Sequence, residues 1–284
     1  MTGPCAADHV GSRCKGRLGW LATVSKVTDL ASVALHDVDI DEARRRDAFL
    51  RWGVHDASVR GCWGLGSSVA LVHDRAPRPR LPGPWAILLG RPDELRLLID
   101  AVPGLIGETP LGVTMSAAAY HLVPASWGLA TRGHWDYMVT SVAPAAPMGL
   151  RIDVVEDHDQ LHAVLDADNP DAHARPGDDD VHSWLGIADD EGMACVGALA
   201  VSQNGGAHLR AITTLARARG RGYGAALSAA LTRRGLEQIS SEVTLGVYSD
   251  NAGAIRLYER LGYRLVHHFT SAAAPVRRDA GDGC

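Results

Sequence analysis

Arg219, Gly220, Arg221, Gly222, Tyr223 and Gly224 form a run in which three glycines alternate with larger residues. An alternating stretch ending at Thr214 and Leu215 precedes it, and Ala226, Leu227, Ala230 and Leu231 follow at helical spacing. The order reads as strand, tight turn, helix. Glycines accept positive φ and leave space above the backbone. Amide groups then gather at the positive end of a helix, which is a natural seat for a pyrophosphate. Arg219 and Arg221 either add charge to that seat or face water. On the glycines alone, a sharp turn that binds nothing stands on equal terms. A dinucleotide-binding fingerprint fits less well. Its glycine spacing differs, and Val247 and Tyr248, rather than an acid, end the next strand.

A second group follows that strand: Asn251, Ala254, Leu257, Tyr258, Leu261, Gly262 and Tyr263. Asn251 is placed to cap a helix. Ala254, Leu257, Tyr258 and Leu261 share one of its faces, and by that stripe alone Tyr258 reads as a core aromatic. Upstream, His208 and Arg210 alternate with Ile212 and Thr214 on one strand face. His208 is the candidate base, an imidazole suited to neutral pH. The plainer reading is a histidine at the end of a hairpin. Acidic residues of the segment 168–180 and groups from the first half are its rivals.

Taken together, the two groups resemble the GNAT superfamily of N-acetyltransferases. Arg219 through Gly224 resembles its Arg/Gln-x-x-Gly-x-Gly/Ala signature, and Asn251 through Tyr263 its Asn-x-x-Ala-x-x-Leu-Tyr-x-x-Leu-Gly-Phe/Tyr pattern. The signatures span 212–263, and the strand order carries the likeness back to about 150. The chain departs from the pattern at Thr214, where the family has a β-branched apolar residue, and at Ala216, near which it has proline. The resemblance implies acetyl-CoA as co-substrate and no metal. It implies that Thr214, Leu215 and the turn Arg219, Gly220, Arg221, Gly222, Tyr223 and Gly224 bind pantetheine and pyrophosphate through backbone amides. It places Asn251 against the pantetheine arm and makes Tyr258 the proton donor to the leaving thiolate. An amide at the end of the strand 208–214 would hold the oxyanion. The acceptor it implies is a small-molecule amine.

The elements that must position these residues are legible in outline. A helix is expected over 41–52, strands at 68–73 and 85–89, and a helix opened by Pro92, Asp93 and Glu94. An apolar segment covers 113–123, and a closing strand falls at 137–142. The glycine-rich stretch 60–66 reads as a turn before an edge strand. Two prolines among alanines at 143–149 read as a linker. Beyond it the order is strand 150–155, helix 157–165, acidic loop, strands 183–188 and 193–202, a turn at Asn204 and Gly205, and strand 208–214. Helix 216–238, strand 243–248, helix 252–261 and strand 263–269 complete it.

The expected fold is α/β, with a GNAT-like mixed, largely antiparallel sheet flanked by helices and two GNAT-like domains in tandem. The divisions are an irregular segment 1–40, a degenerate domain 41–142, the linker 143–149 and a catalytic domain 150–284. At 284 residues and 46% hydrophobic, the chain can build two cores. A net charge of -5 gives no basic patch for nucleic acid or an anionic membrane. The five cysteines lack Cys-x-x-Cys spacing, which fits reduced thiols in a cytoplasm. The segment 18–27 lacks the unbroken apolar core of a signal peptide. His173 and His182 flank Asp178, Asp179 and Asp180 irregularly, which reads as a solvated loop. Trp127, His134, Trp135, Asp136 and Tyr137 read as packing at the domain border, with an acceptor-pocket role as the alternative. A monomer or homodimer is expected. Two other functions stay open: a non-catalytic acyl-CoA sensor or scaffold, and the same fold using another acyl or aminoacyl donor.

Overall fold

A computed structural model describes residues 34–54, 58–75 and 83–275. The expectations for the segments 1–33, 76–82 and 276–284, including the absence of a signal peptide, lie outside the described residues.

The first half runs β1 (His36–Asp37), α1 (Ile40–Arg46), α2 (Ala48–Gly53), β2 (Val59–Leu65), β3 (Ser68–Arg75), β4 (Gly83–Leu89), α3 (Pro92–Ile106), β5 (Gly112–Ser116) and β6 (Ala130–Thr140). The second runs β7 (Asp153–Val154), α4 (His158–Asp168), β8 (Val181–Asp189), β9 (Gly192–Val201), β10 (Ala207–Thr214), α5 (Tyr223–Gln238), β11 (Val243–Tyr248), α6 (Ala252–Arg260) and β12 (Arg264–Ala273). No described helix is long and apolar enough to cross a membrane.

Local chemistry explains most boundaries. Asp39 and Asp157 cap α1 and α4 by accepting from the amides two and three residues on. The single helix expected over 41–52 is two. Asp47 takes an extended conformation, ends α1, and caps α2 through the amides of Phe49 and Leu50. Its other oxygen receives His267 Nε2 at 2.6 Å, and with burial opposing it this partner holds the carboxyl below its usual range. The stretch 60–66, expected as a turn, is strand β2. The segment 113–123 is a short strand followed by a 3-10 turn at Ala117–Leu122.

The twelve described strands form one sheet in the order β1-β2-β3-β4-β5-β12-β6-β11-β10-β9-β8-β7. It is mixed and largely antiparallel. Among the described strands, only β4 with β5 and β10 with β11 run parallel. The two halves interlock at its centre. β12, the last strand, lies between β5 and β6, and β6 lies between β12 and β11. Helices α3, α5 and α6 cover one face, over cores around Leu98 and Met115 and around Leu227 and Leu245. Helices α1, α2 and α4 cover the other, over cores around Phe49 and Phe269 and around Leu161 and Val196.

Candidate active site

Strands β10 and β11 pair only from Ala207 to Leu209, opposite Val243 to Leu245. Beyond that they part. β10 continues against β9 as far as Thr214, and β11 continues against β6 as far as Tyr248. The parting coincides with a bulge: the β9 register shifts between Arg210 and Thr213, and Ala211 stands at φ 51. An extra residue there increases the local twist and re-aims the end of the strand. A cleft therefore opens between the last residues of β10 and those of β11.

The glycine turn lies at the mouth of this cleft. A 3-10 turn, Ala216–Ala218, leads into it, and Gly220 and Gly222 take φ 79 and 82 with nothing above their Cα atoms. Gly222 is the N-cap of α5, and no side chain caps the helix. Tyr223, Gly224 and Ala225, as its first turn, have no intrahelical acceptor for their amides. Gly224 is needed for a different reason. A Cβ there would stand 3.3 Å from Thr214 Oγ1, so the glycine lets α5 start close against β10.

The other expected cofactor residues fare differently. The Leu215 amide donates to the Ala194 carbonyl at 2.9 Å, so it is engaged in the sheet and offers a ligand no donor. The Ala216 amide likewise donates to Asp168. Arg219 is paired with Asp168 at 2.7 Å and Arg221 with Asp189 at 3.4 Å, so neither guanidinium is a bare charge waiting for phosphate. Asn251 caps α6 by accepting from the Ala254 amide at 3.1 Å.

Tyr258, on α6, is buried, its ring 5.7 Å from that of Tyr263 and nearly edge-on. Burial pushes its phenol up to about 12, and the Ser228 hydroxyl beside it tempers the rise. That hydroxyl is fully buried and satisfies no hydrogen-bond geometry of its own. Cys195 belongs to the same buried cluster, and its Sγ lies 3.1 Å from Thr214 Oγ1. Thr214, Cys195, Ser228 and Tyr258 thus converge between the end of β10 and the start of α5. Proximity of Ser228 and Cys195 is a property of the packing that the sequence alone does not signal.

His208 is bonded within the sheet. Its Nδ1 lies 2.8 Å from Thr244 Oγ1, and packed atoms enclose the ring although part of its surface is open. Desolvation, with the nearby Arg210 charge, drives its pKa down to about 3. An imidazole that weak as a base holds no proton near neutrality. Among the border residues, Asp136 of β6 is a buried tie to β12 and to the residue that follows β11. It accepts from Ser249 Oγ at 2.7 Å and pairs with His268. No group of three or more His, Cys, Asp or Glu among the described residues is arranged to hold a metal, and the Asp180 carboxylate pairs with Arg210 at 2.6 Å.

Residues 151–263 match the acetyltransferase (GNAT) family, and that domain belongs to it. Its members use acetyl-CoA as co-substrate. The fold is similar to that of a GCN5-related N-acetyltransferase from Kribbella flavida (TM-score 0.50, 19% identity, 79% of this chain and 92% of that one). It is also similar to that of a Drosophila protein (TM-score 0.50, 19% identity, 81% of this chain and 77% of that one). No curated protein matches the chain.

Proposed function

We propose that the protein transfers an acetyl group from acetyl-CoA to a primary amine of a small molecule. The observation that carries this reading is the cleft between β10 and β11, with the uncapped first turn of α5 at its mouth. Gly220, Gly222 and the amides of Tyr223 and Gly224 receive the pyrophosphate. Asn251 and Thr214 border the pantetheine arm. The unprotonated amine nitrogen attacks the thioester carbonyl and the C–N bond forms, the nitrogen gives up one proton to solvent, and the C–S bond breaks. The departing sulfur takes the Tyr258 proton, and the phenol regains one from solvent. A phenol is protonated at neutral pH, as the donor of that proton must be. Holding amine and thioester together supplies much of the acceleration.

The same reading treats the chain as two GNAT-like halves, of which only the second carries the cofactor seat. It places the protein in the cytoplasm, which suits two buried unpaired thiols, Cys62 and Cys195.

Equilibrium dialysis against CoA, followed by amine-dependent thiol release from acetyl-CoA, tests the proposal. Wild type takes up CoA. Tyr258→Phe takes it up equally and loses on the order of 10²–10⁴ in kcat, the usual worth of general acid catalysis. A folded protein that takes up neither CoA nor any of its thioesters overturns the assignment.

A further inference from the structure

On the face covered by α1, α2 and α4, the sheet is bare where β11 borders the cleft. Gly246 lies mid-sheet yet is exposed, and Tyr248 is 55% exposed, whereas Leu245 and Val247 on the opposite face are buried. Tyr248 stands directly across from Trp135 of β6. Each ring leans over a diagonal glycine of the neighbouring strand. A Cβ on Gly246 would meet Trp135 Cε3 at 3.4 Å, and one on Gly133 would meet Tyr248 Cε1 at 3.5 Å. Neither glycine has a positive φ, so the backbone does not require them. A glycine inside a strand weakens it and commonly marks a close approach. Here both keep the two rings low against the sheet.

Trp135 is fastened: its Nε1 donates to Ser271 Oγ at 2.9 Å and its ring packs 4.9 Å from that of Phe269. Tyr248 is the open part of the shelf. A flat, exposed ring surface offers a planar group a face on which to stack. The shelf is continuous with the cleft, because β11 forms both.

We infer that Tyr248 and Trp135, laid over Gly133 and Gly246, seat the acceptor, and that it is a small primary amine carrying a planar aromatic group. The ring stacks on Tyr248 while the amine reaches into the cleft between β10 and β11. This rests on the acyltransferase reading above.

Calorimetry on the protein saturated with CoA compares phenethylamine with cyclohexylethylamine, which has similar bulk but no flat face. Stacking adds roughly 0.5–1.5 kcal/mol beyond buried area, so phenethylamine binds about fivefold tighter. Tyr248→Ala, an exposed position, abolishes that ratio, and Tyr248→Phe preserves it. CoA affinity is the same in all three proteins. Equal affinities for the two amines, no binding of either, or a ratio unchanged in Tyr248→Ala overturns the inference. Retained CoA binding in those cases leaves the acyltransferase reading standing, whereas failure of wild type to bind CoA removes both.

Discussion

The Glu94 carboxylate accepts a 2.6 Å hydrogen bond from Ser68 Oγ at the start of α3. The Ser67 amide and hydroxyl donate to the same oxygen, and Ser68 Oγ in turn accepts from the Arg91 amide. Chiefly through Ser68, these donors hold the carboxyl below its usual range. Pro92, the first residue of α3, brings no N–H at all. In the first half α3 links the parallel strands β4 and β5, as α5 links β10 and β11 in the second. The start of α3 is the topological counterpart of the glycine turn, but there Pro92 brings no amide and the Arg91 amide is taken by Ser68.

One CoA per chain is the expected stoichiometry. Calorimetric titration of the whole protein checks it, and a second equivalent of comparable affinity would show that the start of α3 takes CoA as well.

His208 is expected to set an acid limit on stability rather than a limb of the rate profile. Its folded pKa, pushed down to about 3, lies below the unfolded value near ~6.5. The folded state therefore binds fewer protons than the unfolded one. Its contribution to stability is complete above that unfolded value and is lost as pH falls toward the folded one. The urea midpoint of wild type should drop across this window, and that of His208→Gln should drop less. The acid side of the kcat profile should be the same in both. A limb that disappears in His208→Gln would restore the residue as the base.

Gly222→Ala separates strain from binding. At φ 82 a Cβ costs about 1–2 kcal/mol, which a denaturant titration reads directly. Gly107→Ala carries a similar strain at φ 78, away from the glycine turn. CoA affinity should fall in Gly222→Ala alone. Equal affinity in the two variants would remove the turn from the cofactor site.

The parts of the site that a single sequence reveals are those built from neighbours in the chain. Gly220 and Gly222 announce a turn because their conformations exclude other residues, and Asn251 announces a cap because its side chain bonds three residues on. Strand 243–248 has the bounds expected of it. The split at Asp47 escaped because the apolar period runs through it, and what holds Asp47 extended includes His267, at the far end of the chain. The pKa of His208 escaped because desolvation depends on what packs over the ring. The shelf escaped because Gly133 and Gly246 acquire meaning only when β6 and β11 are paired. The placing of β6 between β11 and β12 is a long-range pairing with no local signal.

That interlocked centre also governs how the chain can be made. A nascent polypeptide released through β11 has neither β5 nor β6 fully partnered, because the strand that belongs between them is still to be synthesised. Two hydrogen-bonding edges stay bare until Ala273 has emerged. Neither half is a self-sufficient folding unit, so cutting the gene in two should yield aggregating fragments, and mixing them during refolding should recover more soluble protein than either gives alone.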